Sequence, residues 1–162
     1  MRKGAGWHAL RALLGGRPRS ARHDDASPGG REGAAPTPAV SDLSPRDLAY
    51  VGDAVFELAV RQYLLERCPS PAERHRDAVR RVRAAAQAAF LRSLEPHLGP
   101  AEQDLVRRAR NFKGAPVPRG VSPADYRAST AFEALLGYLY LMGESARLRE
   151  ILGMVLEGAD LP

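Results

Sequence analysis

The sequence predicts an all-α domain preceded by a disordered N-terminal tail. Three observations lead there. The tetrapeptides Ser44-Pro45-Arg46-Asp47, Ser70-Pro71-Ala72-Glu73 and Ser122-Pro123-Ala124-Asp125 repeat one helix-starting pattern. The stretches behind them carry apolar residues at three- and four-residue spacing, and nowhere after residue 40 does polarity alternate residue by residue as in a strand. In each tetrapeptide the serine hydroxyl can accept from free backbone amides. Proline suits the first turn, where its missing N–H costs nothing, and the acid complements the partial positive charge of a helix start.

Residues 1–40 mix Gly, Pro, Ala, Ser and Arg without periodicity, too little apolar surface to offset the entropy of ordering. They are predicted to be disordered. The arginine-rich start, with no acid before Asp24, is compatible with a transit peptide, a phosphate-binding arm or a passive extension. One domain is expected over residues 41–160, with helices over about 45–66, 72–94, 101–110, 123–142 and 145–157. Asn111 to Val121, holding Gly114, Pro116, Pro118 and Gly120, reads as a loop.

Composition excludes several classes of function. Cys68 is the only cysteine, so no intrachain disulfide forms, and His8, His23, His75 and His97 lack zinc-ligand spacing. No apolar run approaches the roughly 20 residues that span a bilayer, and no secretory signal pattern opens the chain. A soluble, cytoplasmic protein without a membrane partner is expected. The formal net charge is +5, but the tail's seven Arg/Lys against three Asp/Glu supply +4 of it, leaving the domain nearly balanced. Net charge therefore does not identify the partner. Walker A, Gly-x-Ser-x-Gly and His-Glu-x-x-His motifs are all absent.

The informative residues are carboxylates inside apolar helices. Leu48, Val51, Val55 and Leu58 form one apolar stripe of the first helix; Ala49, Phe56, Val60 and Leu64 form another. Asp53 falls on the second stripe, on no obvious solvent face, and Glu57 follows one turn later. In the fourth long helix Glu133 interrupts Ala131-Phe132-Glu133-Ala134-Leu135-Leu136. An unpaired buried carboxylate costs several kcal/mol, so something must compensate. One solution is an arginine from a neighbouring helix, with Gly52 and Gly137 permitting close packing. The other is a shared hard cation, since magnesium often takes only one or two protein carboxylates and completes its shell with water and phosphate.

Gly52-Asp53-Ala54-Val55-Phe56-Glu57-Leu58, followed by Thr130-Ala131-Phe132-Glu133-Ala134-Leu135-Leu136-Gly137, resembles the paired signature of ribonuclease III domains. More closely, the chain resembles the Mini-ribonuclease III subfamily, which has the catalytic domain without a double-stranded-RNA-binding domain. That likeness rests on Leu48-Ala49-Tyr50-Val51-Gly52-Asp53-Ala54, Arg108-Ala109-Arg110-Asn111 and Tyr126-Arg127-Ala128-Ser129-Thr130-Ala131-Phe132-Glu133-Ala134-Leu135, and it extends over residues 43–157.

The resemblance implies a ribonuclease III-like helical endonuclease, a symmetric homodimer, magnesium (Mg2+), and cleavage of double-stranded RNA, in the subfamily that of large-subunit ribosomal RNA precursors. It implies Asp53 and Glu133 as catalytic and metal-holding residues, with Glu57 and Thr130 behind them. Full-length ribonuclease III has glutamate at the position of Ala49 and aspartate at that of Thr130, replacements the subfamily shares, so the ion must depend more on water. The competing expectation is an inactive ribonuclease III-like module that binds structured RNA.

Two basic runs are candidate RNA contacts: Arg74-His75-Arg76 with Arg80, Arg81 and Arg83, and Arg107, Arg108, Arg110, Lys113 and Arg119. From these, His75, Arg80, Arg108, Arg110, Asn111 and Lys113 are the expected RNA-binding residues. The alternative for the first run is a solvated arginine-rich surface. Both acidic helices are apolar on more faces than one small domain covers, which also argues for a dimer.

Overall fold

A computed structural model describes residues 39–112 and 116–158. Six α-helices follow a 3-10 turn at Val40–Asp42: α1 (Pro45–Arg67), α2 (Pro71–Val82), α3 (Ala84–Leu94), α4 (Pro100–Asn111), α5 (Pro123–Leu141) and α6 (Ser145–Glu157). A second 3-10 turn, Glu95–His97, links α3 to α4. No strand occurs among the described residues. The predicted tail lies outside them, apart from its last two positions.

The three serine–proline signals start helices as expected. Asp47 N–H donates to Ser44 Oγ at 3.2 Å while Ser44 N–H donates to Asp47 Oδ2 at 3.2 Å, a reciprocal capping box. Ser70 and Ser122 accept from the backbone N–H of Glu73 and Asp125. Proline is the first residue of α1, α2 and α5. At α4 the cap comes from within the helix: Gly99 N–H donates to Glu102 Oε2 at 2.8 Å.

One expected element differs. The continuous helix read over 72–94 is two helices, broken where Arg83 takes φ −67° and ψ 149°. The physical reason is a change of partner. The charged α2 buries no residue completely and lies along α1, whereas α3 buries Ala86, Gln87, Ala88, Phe90, Leu91 and Leu94 beneath α5. A straight rod cannot serve both surfaces.

Helix α5 is the centre of the domain, packed on α1, α3 and α4 and closed at its far end by α6. Phe56, Phe90 and Phe132 join α1, α3 and α5, with ring centroids 5.0 to 6.2 Å apart and the Phe56–Phe132 pair edge-to-face. Leu148, Ile151, Leu152, Val155 and Leu156 of α6 complete this core. Arg147 ties α6 to α4 through paired bonds to Glu102 at 2.8 and 2.9 Å and one to the His97 carbonyl at 2.7 Å.

The crossing of α1 and α5 positions everything that follows. A methyl group on Gly52 would overlap the Glu133 carbonyl oxygen and lie 2.8 Å from the Gly137 nitrogen. One on Gly137 would overlap the Leu48 carbonyl oxygen and lie 3.0 Å from the Gly52 nitrogen. The two backbones touch, and only glycine allows it.

Candidate active site

This contact brings the two acids together. Gly52 lies against the backbone of Glu133 itself, and Asp53 is the next residue. Glu133 is half-buried, and its carboxyl is pushed up to about 8, first by burial, then by the negative charge of Asp53, against an opposing hydrogen bond from the Gln87 amide. Asp53 is raised as well, by burial first and the charge of Glu57 second, with Arg61 pulling the other way. Contrary to the expectation from the helical stripe, Asp53 is exposed. Helix α1 is covered by α5 on one side only, and Asp53 and Ala54 occupy the open side. Its surface is wet, yet the cavity wall still removes part of its hydration.

Both acids border an open cavity of about 680 Å³. Ala49 and Tyr50 of α1, Val82 and Gln87 at the α2–α3 break, Phe112, Val117 and Pro118 of the loop, and Tyr126, Arg127 and Thr130 of α5 form its walls. Arg46 lines it too. Two carboxylates and two arginines thus line one open cavity.

Residues 46–144 match the family profile described as the ribonuclease III domain, more than half of the chain. The chain belongs to the ribonuclease III family. Among curated proteins it is 54% identical over 111 residues to a Mini-ribonuclease 3 of Symbiobacterium thermophilum, covering 68% of this chain and 85% of that one. It is 47% identical over 125 residues to a Mini-ribonuclease 3 of Gloeobacter violaceus, covering 75% and 85%. A crystal structure of a Fusobacterium nucleatum protein superposes with a TM-score of 0.66 at 28% identity, over 74% of this chain and 96% of that one. The family is one of endoribonucleases, and this all-helical member sits within its Mini-ribonuclease III branch.

The remaining expected residues of this ribonuclease III domain are dispersed. Thr130 borders the cavity beside Glu133. Glu57 influences Asp53 through its charge, but its side chain pairs with Arg61 and faces a second groove of about 390 Å³ between α1 and α2. His75 lines that groove rather than the cavity. Arg80 is exposed and pairs with Asp77. Arg108 donates to Asp104 at 2.9 Å, and Arg110 pairs with Glu95 across to the 3-10 turn. Asn111 is exposed at the end of α4, and Lys113 lies outside the described residues.

Gln87 carried no sequence signal, because an amide in an alanine-rich helix reads as an ordinary surface residue; only its burial reveals it. Arg127 lies within the Tyr126–Leu135 motif but in no run of basic residues, and Arg46 reads from the sequence only as part of a helix start.

The donor set fits a divalent cation. Two carboxylates raised first by burial, Glu133 also by the charge of Asp53 and Asp53 by that of Glu57, favour a positive charge beside them. Among the described residues no group of three or more His, Cys, Asp or Glu forms a candidate metal cage. Asp53 and Glu133 are therefore suited to an ion that keeps much of its water, as magnesium does.

Proposed function

We propose that this chain is a magnesium-dependent endoribonuclease that hydrolyses double-stranded RNA as a homodimer, with Asp53 and Glu133 holding the ion. The observation that carries the proposal is the glycine-mediated crossing, which seats two distant acids on one open cavity. Its biological substrate on this reading is the large-subunit ribosomal RNA precursor, as the resemblance implies, and its location is the cytoplasm. No helix among the described residues is long and apolar enough to cross a membrane.

In hydrolysis, a water oxygen bonds to phosphorus while the P–O3′ bond breaks, leaving a 5′-phosphate and a 3′-hydroxyl. Bound magnesium supplies charge neutralisation at the phosphate and eases deprotonation of water. The chain's own residues do the rest. Asp53 at the rim and Glu133 deeper in the wall offer oxygens from two helices locked in register by Gly52 and Gly137. Arg46 and Arg127 place guanidinium groups on the same cavity, where they suit phosphate oxygens. Duplex RNA presents phosphates and 2′-hydroxyls across a shallow groove, so charge and shape at the cavity mouth matter more than base identity.

The dimer is supported by apolar surface on the open side of α1, where Tyr50 is 84% exposed and Leu65 66%. Tyr50 also lines the cavity, so a partner covering it would stand beside the site.

Incubation of purified protein with precursor ribosomal RNA and with unrelated duplexes, with and without magnesium, tests the reading. Cleavage only with magnesium, yielding 5′-phosphate ends and favouring the precursor, is the expected result. Binding without product at any magnesium concentration would leave a module that grips structured RNA without cutting. Sedimentation equilibrium tests the dimer.

A further inference from the structure

Two polar side chains are buried among the described residues, Ser129 and Gln87. Ser129 is satisfied within its own helix, donating to the Tyr126 carbonyl at 3.0 Å. Gln87 is not. It is 1% exposed, its Nε2 donates to the Val82 carbonyl at 2.9 Å, and its Oε1 is buried without a partner. A buried acceptor left unpaired is costly, and Ala88, Phe90 and Leu91 show that apolar residues serve this helix well. Packing alone does not account for glutamine here.

Its anchorage is specific to the helix break. The backbone N–H groups of Ala86 and Gln87 both donate to the Arg83 carbonyl, at 3.0 and 3.1 Å. The Gln87 side chain takes the Val82 carbonyl instead. From that tether the amide borders the cavity and acts as a hydrogen-bond donor towards Glu133. With Nε2 held by the Val82 carbonyl, Oε1 stays buried without a partner of its own.

We propose that Gln87 is a positioning residue for phosphodiester cleavage: tethered to the Val82 carbonyl, its buried amide orients the Glu133 carboxylate that holds the hydrated divalent cation. The inference rests on the metal-dependent reading above. It gives the α2–α3 break a purpose, since a continuous helix would keep the Val82 carbonyl within the backbone ladder. Partners of this kind behind a ligand typically change metal affinity or activity by roughly 10–100-fold.

The test compares wild type, Gln87→Met, which keeps the volume without the hydrogen bonds, and Gln87→Asn, which shortens the amide's reach. Four quantities are read: Mn2+ binding by the EPR signal of free ion, the magnesium half-saturation of duplex cleavage, duplex affinity in EDTA, and the melting temperature. Both variants are expected to bind Mn2+ and respond to magnesium about tenfold more weakly, with duplex affinity unchanged. Leu91→Val serves as a packing control; it is expected to lower the melting temperature while leaving the ion dependence alone. Wild-type ion binding in whichever variant folds would overturn the inference, as would an equal shift in the control. Wild-type protein that neither binds Mn2+ nor cleaves would instead sink the metal-dependent reading, and the inference with it.

Discussion

Replacing Gly137 by alanine tests whether the α1–α5 backbone contact is what assembles the site. The added methyl would overlap the Leu48 carbonyl oxygen and crowd the Gly52 nitrogen at 3.0 Å. Both are backbone atoms, so no side chain can swing aside. Restoring an ordinary separation of about 3.5 Å requires the crossing to open by on the order of 1 Å. Overpacking of this kind costs about 1–3 kcal/mol, here towards the upper end. Alanine's better helix propensity returns about 1 kcal/mol. The net loss is about 2 kcal/mol, or roughly 8 °C in melting temperature for a domain of this size.

Activity should fall further than stability, because Gly52 touches Glu133 and precedes Asp53. A displacement near 1 Å at reacting groups is worth on the order of a hundredfold in rate. Circular-dichroism melts, with initial cleavage rates of a labelled duplex at a temperature where both proteins are folded, read the two effects separately. Gly153→Ala is the matched control: nothing lies within 4 Å of its added methyl, and it should gain roughly 0.5–1 kcal/mol. A Gly137→Ala protein that melts at or above wild type and cuts normally would refute the claim that this contact sets the geometry.

Asp53→Asn is expected to retain folding and duplex binding while losing at least about a hundredfold in magnesium-dependent cleavage; near-normal rates would remove Asp53 from the chemistry. In metal-free protein Glu133 keeps its proton up to about pH 8, whereas the unfolded chain loses it near the ordinary value of 4.5. The native state binds the extra proton between those limits, so stability falls as pH rises through that window, and the raised Asp53 adds to the fall at its lower end. Melts from pH 5 to 8 should show a decline that Glu133→Gln reduces and magnesium offsets; a flat wild-type profile contradicts it. Arg147→Ala removes the paired bonds to Glu102, partly sheltered from water, and the exposed bond to the His97 carbonyl. It should cost about 2 kcal/mol, seen as a lower urea midpoint at unchanged slope.

Much of the fold was legible because helix starts are local. Ser44, Ser70 and Ser122 cap amides three residues away, within the range that spacing alone reports. The same local order made Asp53 and Glu133 conspicuous as charges inside apolar runs. It misjudged Asp53's surroundings, because a stripe on a helical wheel states which residues share a face and not whether another helix covers it. The break at Arg83 was illegible for the same reason: residues 72–94 form good helix throughout, and the interruption comes from packing α2 on α1 and α3 under α5. Basic runs were visible as runs, but their pairing was not. Arg110 meets Glu95 fifteen residues back, and only coordinates reveal that this charge is already engaged.

The sequence by itself determined a helical domain, where most of its helices begin, and which two acids stand out. Those properties depend on capping, propensity and periodicity among residues a few positions apart. Tertiary structure alone decided that those acids, eighty positions apart, share one cavity, that Gln87 stands behind one of them, and that several arginines are committed elsewhere. Those facts depend on how closely two backbones approach, and the separation of α1 and α5 is set by two glycines whose contribution is the absence of a side chain.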